Sequence, residues 1–245
     1  MTADRWARAV RQRVGLGRIL ALGEPCDGAW IAERAAEAVL RRTVAREAPD
    51  VRLDGVRIGL VDAQEAAEAV VPPPPGALPP GALRLTAGFA AAAARPVPVT
   101  AARLRAVLAE AAVEGIGLSV AEVDLRVTEL LDAEPGPEAA PGRGAAPRRE
   151  RASGPAVPGD PEAGRVAAAA LGVAGVSRLT EVLGQSVRLT GEPGRGAALP
   201  RRHARVDLAV VADARALDVA REVRAAVASV LPDGPTVAVL ITAAD

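Results

Sequence analysis

Hydrophobic and polar positions along the chain switch repeatedly between a period of two and a period near four. Val51, Leu53, then Gly55, then Val56, Ile58 and Leu60 alternate with polar residues, which predicts a strand broken by a bulge at the glycine. Leu83, Leu85, Ala87 and Phe89 form one face of a second strand, and Val123, Leu125 and Val127 one face of a third, with Asp124, Arg126 and Thr128 opposite. Between the last two, Leu104, Val107, Leu108 and Ala111 recur at helical spacing behind Thr100, a candidate N-cap. Upstream, Ile31, Ala35 and Val39 predict a helix from Trp30 onward, capped by Asp27.

A similar order follows in the second half. The stretch EAGRVAAAALGVAGVSRLTEVLG reads as a helix weakening at Gly172 and Gly175, and SVRLT as a short strand. Val206, Leu208 and Val210 alternate with Arg205, Asp207 and Ala209, which places the charged pair on a solvated face. Asp213 is a candidate cap for a helix whose stripe is Val219, Val223, Val227 and Val230 and which Pro232 stops. Val237, Val239 and Ile241 alternate to the end.

Two segments interrupt the pattern. Proline removes an N–H and fixes φ, so VVPPPPGALPPG (70–81) is read as an extended surface loop. The stretch 132–161, rich in Pro, Gly, Ala and charge, lacks the apolar surface to offset ordering entropy and is read as a disordered linker. The expected organisation is an N-terminal α+β module over 1–131 with its proline-rich loop at 63–81, the linker, and a C-terminal α+β module over 162–245. Each module is expected as a two-layer sandwich in the order helix, strand, strand, helix, strand, with one crossover joining parallel strands. The shared order suggests tandem duplication.

Composition narrows the chemistry. Half of the 245 residues are hydrophobic but only Trp6, Trp30 and Phe89 are aromatic, so the core is built from Ala, Val and Leu. All 30 basic residues are Arg, which removes a P-loop lysine and a Schiff base, and the net charge of zero gives no global attraction for nucleic acid. Cys26 is alone, so no intramolecular disulfide or thiolate metal cluster forms. GLGRIL and GIGLSV fail the dinucleotide fingerprint, because Leu20 and Val120 stand where the third small residue belongs. His203 is the only histidine; it lies among arginines that oppose its protonation, and it reads as a surface residue rather than a general base. Ser177 lacks the flanking glycine of a nucleophile elbow. An enzyme is not expected and no cofactor or metal is implied; a site made of carboxylates alone is the residual enzymatic alternative.

Two interaction features remain. Arg5, Arg8, Arg11, Arg13 and Arg18 accompany Trp6, Val10 and Val14 at helical spacing, a pattern suited to partner or membrane contact or to docking on the chain's own core. Arg143, Arg148, Arg149 and Arg151 cluster in the linker among acidic residues with no aromatic interleaved, so they read as solvated. No run of eighteen apolar residues predicts a membrane span, and the N-terminal stretch lacks the apolar core of a signal peptide.

The stretches RVAAAALGVAGVSRL, ARVDLAVVADARALDVAREVRAAVASV and TVAVLITAAD, within Glu162 to Asp245, resemble the alkaline shock protein family of bacterial envelope-stress proteins. Ala212 and Asp213 replace the tyrosine–glycine pair often found after that family's alternating strand. The resemblance implies a cytoplasmic, non-catalytic scaffold or adaptor, peripheral at the inner face of the cell membrane. It would act through self-association and protein partners, a membrane-anchored protein among them. A nucleic-acid-associated regulator is the alternative class.

Overall fold

The computed structural model describes residues 15–93, 95–131, 160–191, 202–232 and 234–245. Strand β1 (Ile19–Leu22) and strand β2 (Ala29–Ala32) form an antiparallel pair ahead of helix α1 (Glu33–Glu47). Next come β3 (Val51–Leu60), β4 (Leu83–Ala92), helix α2 (Val97–Glu110), which runs into a wide π turn at Ala111–Ile116, and β5 (Val120–Leu131). The second half contributes α3 (Pro161–Leu171), β6 (Val176–Leu179), β7 (Val187–Gly191), β8 (Arg202–Val210), α4 (Ala216–Val230) and β9 (Thr236–Ala244).

The architecture is α+β with two sheets, as expected from the pattern. One sheet is β3–β4–β5. In it β3 and β4 are antiparallel, with the bulge between Leu53 and Val56 that Gly55 signals, and β4 and β5 are parallel across the α2 connection. The other sheet runs β1–β2–β9–β8–β6, with β7 also pairing β8. Here β7 and β8 are antiparallel, and β8 and β9 are parallel across α4. Both halves thus contain a hairpin followed by a strand–helix–strand crossover.

The larger sheet takes strands from both ends of the described chain. β2 pairs in parallel with β9, setting Trp30 beside Leu240 and Ile31 beside Ile241. Helix α1 packs on β9 and also on β3, so it lies against both sheets. One apolar cluster accordingly runs from Leu20 and Ile31 through Leu40, Ile58, Leu85, Phe89 and Leu104 to Leu208, Val223 and Ile241. At about 25 cal/mol per Å² of apolar surface, this shared burial is what couples the strands into one fold.

Several local readings require correction. Trp30 and Ile31 stand in β2, not in a helix: adjacent residues of a strand point to opposite faces, and both faces are covered, leaving both side chains buried. Helix α1 starts only at Glu33, and Asp27 lies in the preceding turn without capping it. Thr100 is inside α2 and buried, because Pro98 sets the first turn and the helix starts at Val97. Helix α4 starts at Ala216, with Arg215 and not Asp213 at its N-cap. The weakening helix of the second half ends at Leu171, and Val176–Leu179 turns into strand β6. Asp160, which the pattern did not single out, caps α3 by accepting the Glu162 N–H at 3.0 Å.

The proline-rich stretch has no regular structure but is not fully solvated. Val71 packs on Trp30, Ala238 and Leu240 on the face of the larger sheet turned away from the helices, and Ala77 bridges Ile19 at the β1 edge. β8 is buried on both faces, so Arg205 and Asp207 are not on a solvated face; their β9 partners Ala238 and Leu240 belong to this second apolar patch, on which Leu183 of the β6–β7 connection also packs.

Candidate functional site

The two edges of the β3–β4–β5 sheet are treated very differently. An edge strand presents unpaired N–H and C=O groups that can template another strand unless they are blocked. At β3 they are blocked. The Ile58 N–H donates to Glu33 Oε1 at 2.9 Å, and the Ile58 carbonyl accepts from Arg18 Nη1 at 2.9 Å. Arg41 donates to the carbonyls of both Leu53 and Asp54. Glu33, buried at the start of α1, also accepts the Arg18 N–H at 3.1 Å, so one carboxylate ties the β2–α1 corner to the small sheet.

β5 is the opposite case. It is the longest strand at 12 residues, and it pairs only with β4 among the described residues. Its sole side-chain blocker among them is Arg105, whose Nε donates to the Val123 carbonyl at 3.2 Å. Val123 and Leu125 are half-buried under α2, whereas Val127 is 39% and Leu130 55% exposed.

The outer face of this sheet is a lattice of charge. Arg84 pairs with Glu122 at 2.5 Å and Asp124 at 3.5 Å, and Arg52 with Glu129 at 2.7 Å and Asp54 at 3.1 Å. Asp54 also accepts from Thr128 Oγ1, and that hydrogen bond, with Arg52 behind it, holds its carboxyl below the usual range. Exposed pairs of this kind contribute little to stability; they fix the side chains and keep the face polar. Arg126, exposed on the same face, makes no ion pair among the described residues.

A second feature is an open cleft of about 700 Å³ where the β1–β2 turn, the proline-rich loop, the π turn and the start of α4 converge. Its charged lining is Glu24, Glu65, Arg215 and Arg221. Both arginines are engaged by the protein: Arg221 forks onto Asp27 at 2.9 Å and 2.9 Å, and Arg215 reaches Asp218 at 2.9 Å and the Val113 carbonyl at 3.3 Å. The Arg221 fork pulls the Asp27 carboxyl below its ordinary value against the opposing effect of burial. The Gly23 N–H donates to the Gly117 carbonyl at 2.9 Å at the same seam. This is the geometry of a joint between the two halves, and the sole hydroxyl side chain in its lining is Ser119.

The third feature is buried. On β8, Arg205 forks onto Asp207 at 2.9 Å and 3.2 Å, with side chains 7% and 0% exposed. Burial pushes the Asp207 carboxyl up to about 6 although Arg205, and more distantly Arg188, pull it down. Alternation alone cannot reveal such a pair, because residues two apart on a strand look the same whether that face meets water or a covering loop.

The residues singled out in the sequence do not converge. Arg5, Trp6, Arg8, Arg11 and Arg13 lie outside the described residues, as do the linker arginines. His203 is on β8 with Nδ1 2.9 Å from Thr236 Oγ1. Ser177 Oγ donates to Asp245 at 2.8 Å, and Cys26 is exposed in the β1–β2 turn. Among the described residues no three His, Cys, Asp or Glu side chains are grouped to hold a metal ion, and no helix is long and apolar enough to cross a membrane. No family model, curated protein or solved structure matches this chain.

Proposed function

We propose that this protein is a non-catalytic scaffold or adaptor that works by protein–protein contact, in the manner implied by its resemblance to the alkaline shock protein family. The observation that carries this reading is the asymmetry of the small sheet: Arg18, Glu33 and Arg41 block the β3 edge, while among the described residues β5 offers a long edge with one arginine on it. Main-chain hydrogen bonding to such an edge gives affinity, and the flanking side chains give selectivity. In the same reading the protein is cytoplasmic and reaches the membrane face through an anchored partner.

The test is capture of partners by the tagged full chain from membrane and soluble fractions of its native cells, alongside Val127→Lys. An inward-facing lysine on an edge strand obstructs strand addition while its stem still covers apolar surface. A membrane-anchored protein retained by the wild type and lost by the variant supports the adaptor reading. Equal capture by both removes β5 as the contact, and recovery of nucleic acid alone overturns the reading.

A further inference from the structure

We infer that the β5 edge is a homodimerisation edge, on which a second copy of this chain adds its own β5 antiparallel across a twofold axis at Leu125. The inference rests on the proposed scaffold role and specifies one partner for it.

The backbone limits where pairing can occur. Against β4, β5 is regular from Glu122 to Val127, and its register slips on both sides, between Leu83 and Arg84 and between Phe89 and Ala90 of β4. The Val123 carbonyl accepts from the Arg105 side chain, so it faces away from β4. N–H and C=O of alternate residues share a side, hence Val123, Leu125 and Val127 present their backbone groups outward. The regular outward run is centred on Leu125. An antiparallel partner centred there faces Leu125 with Leu125 and Val123 with Val127 twice, and forms about six main-chain hydrogen bonds.

The charges select the same register. Centred on Leu125, Asp124 of each copy faces Arg126 of the other, and Glu122 faces Thr128. Shifting the centre to Asp124 sets that carboxylate against itself, and shifting it to Arg126 sets two guanidinium groups together. Directly opposed charges on a sheet stabilise when unlike and destabilise when like. Arg126, which makes no ion pair among the described residues, gains one, and the half-exposed Val123, Leu125 and Val127 gain apolar neighbours on the helix side. Arg105, an exposed side chain, is displaced from the Val123 carbonyl as the partner N–H arrives.

The test is sedimentation velocity on the full chain over a hundredfold concentration range, with two sets of variants. Arg126→Glu should weaken dimerisation about tenfold or more, and Asp124→Arg with Arg126→Asp should restore it by reversing both pairs. Both are outer-face changes, and circular dichroism monitors their folding. In a Cys26→Ser background, Leu125→Cys should form a disulfide-linked dimer under mild oxidation. Val123→Cys alone should not, since it faces Val127. A chain monomeric throughout the range overturns the inference, as does a dimer indifferent to Arg126→Glu or crosslinked as well by Val123→Cys. Partner capture that depends on β5 in a chain that never dimerises overturns the homodimer while leaving the scaffold role standing.

Discussion

Replacing Arg205 by Met should destabilise the protein by about 3 kcal/mol at pH 8, at the lower end of the cost of leaving one member of a buried ion pair alone. The figure follows from geometry: Asp207 is fully buried, its carboxylate accepts both bonds of the Arg205 fork, and it forms no other side-chain hydrogen bond among the described residues. Burial pushes the Asp207 carboxyl up to about 6 in the folded chain, from an ordinary aspartate value of 3.8. A raised acid binds its proton more tightly when folded, so its contribution to stability is greatest below about pH 4 and is lost as pH rises through 6. That loss amounts to about 3 kcal/mol. Removing Arg205 takes away the charge that keeps this value from rising further, so Arg205→Met should cost clearly less at pH 5, where the carboxyl accepts a proton, than at pH 8. Arg205→Met with Asp207→Leu should return stability to within about 1 kcal/mol of wild type or above it, because an apolar pair avoids desolvating two charges. Urea unfolding followed by circular dichroism at both pH values measures all three. A double variant as unstable as the sum of its parts, or an Arg205→Met cost equal at pH 5 and pH 8, would refute the reasoning.

Asp27→Asn should lower stability at pH 7 by about 1–2 kcal/mol, since it breaks the fork with the half-exposed Arg221 and weakens the bond from the Glu24 N–H. The folded Asp27 carboxyl is lowered, so its contribution is present above pH 4 and fades as pH falls through the folded value; urea midpoints of wild type and variant should converge in acid. Gly117→Ala should cost about 2–4 kcal/mol, because φ is +96° there and an added Cβ collides with the buried Leu217 side chain. Gly115→Ala, with open space around its Cβ, is the control, and thermal melting separates the two.

Much of the small sheet was legible from local pattern. The alternating apolar positions of β3 and β4 and the Leu104–Leu108 stripe became core, the bulge fell at Gly55, and Val123 and Leu125 of β5 were half-buried on the predicted face, because one face of each element meets the interior and the other meets water. That is the circumstance in which period alone decides orientation. The same logic made the charged outer row of β5 readable, and with it the residues proposed to set the dimer register.

Where an element is covered on both sides, the period loses its meaning. Trp30 and Ile31 read as helix because Ile31 falls at helical spacing from Ala35 and Val39, and the pairing of β2 with β1 and with β9, some two hundred residues along the chain, makes them a strand. Arg205 and Asp207 read as solvated because nothing near them in sequence announces that both faces of β8 are buried. The sequence by itself determined which segments are strands or helices with one dry face, and that lysine chemistry and a disulfide within the chain are absent. The tertiary structure decided which edges are blocked, which charges are buried and how the two ends share a sheet, because those depend on contacts between residues that local periodicity cannot connect.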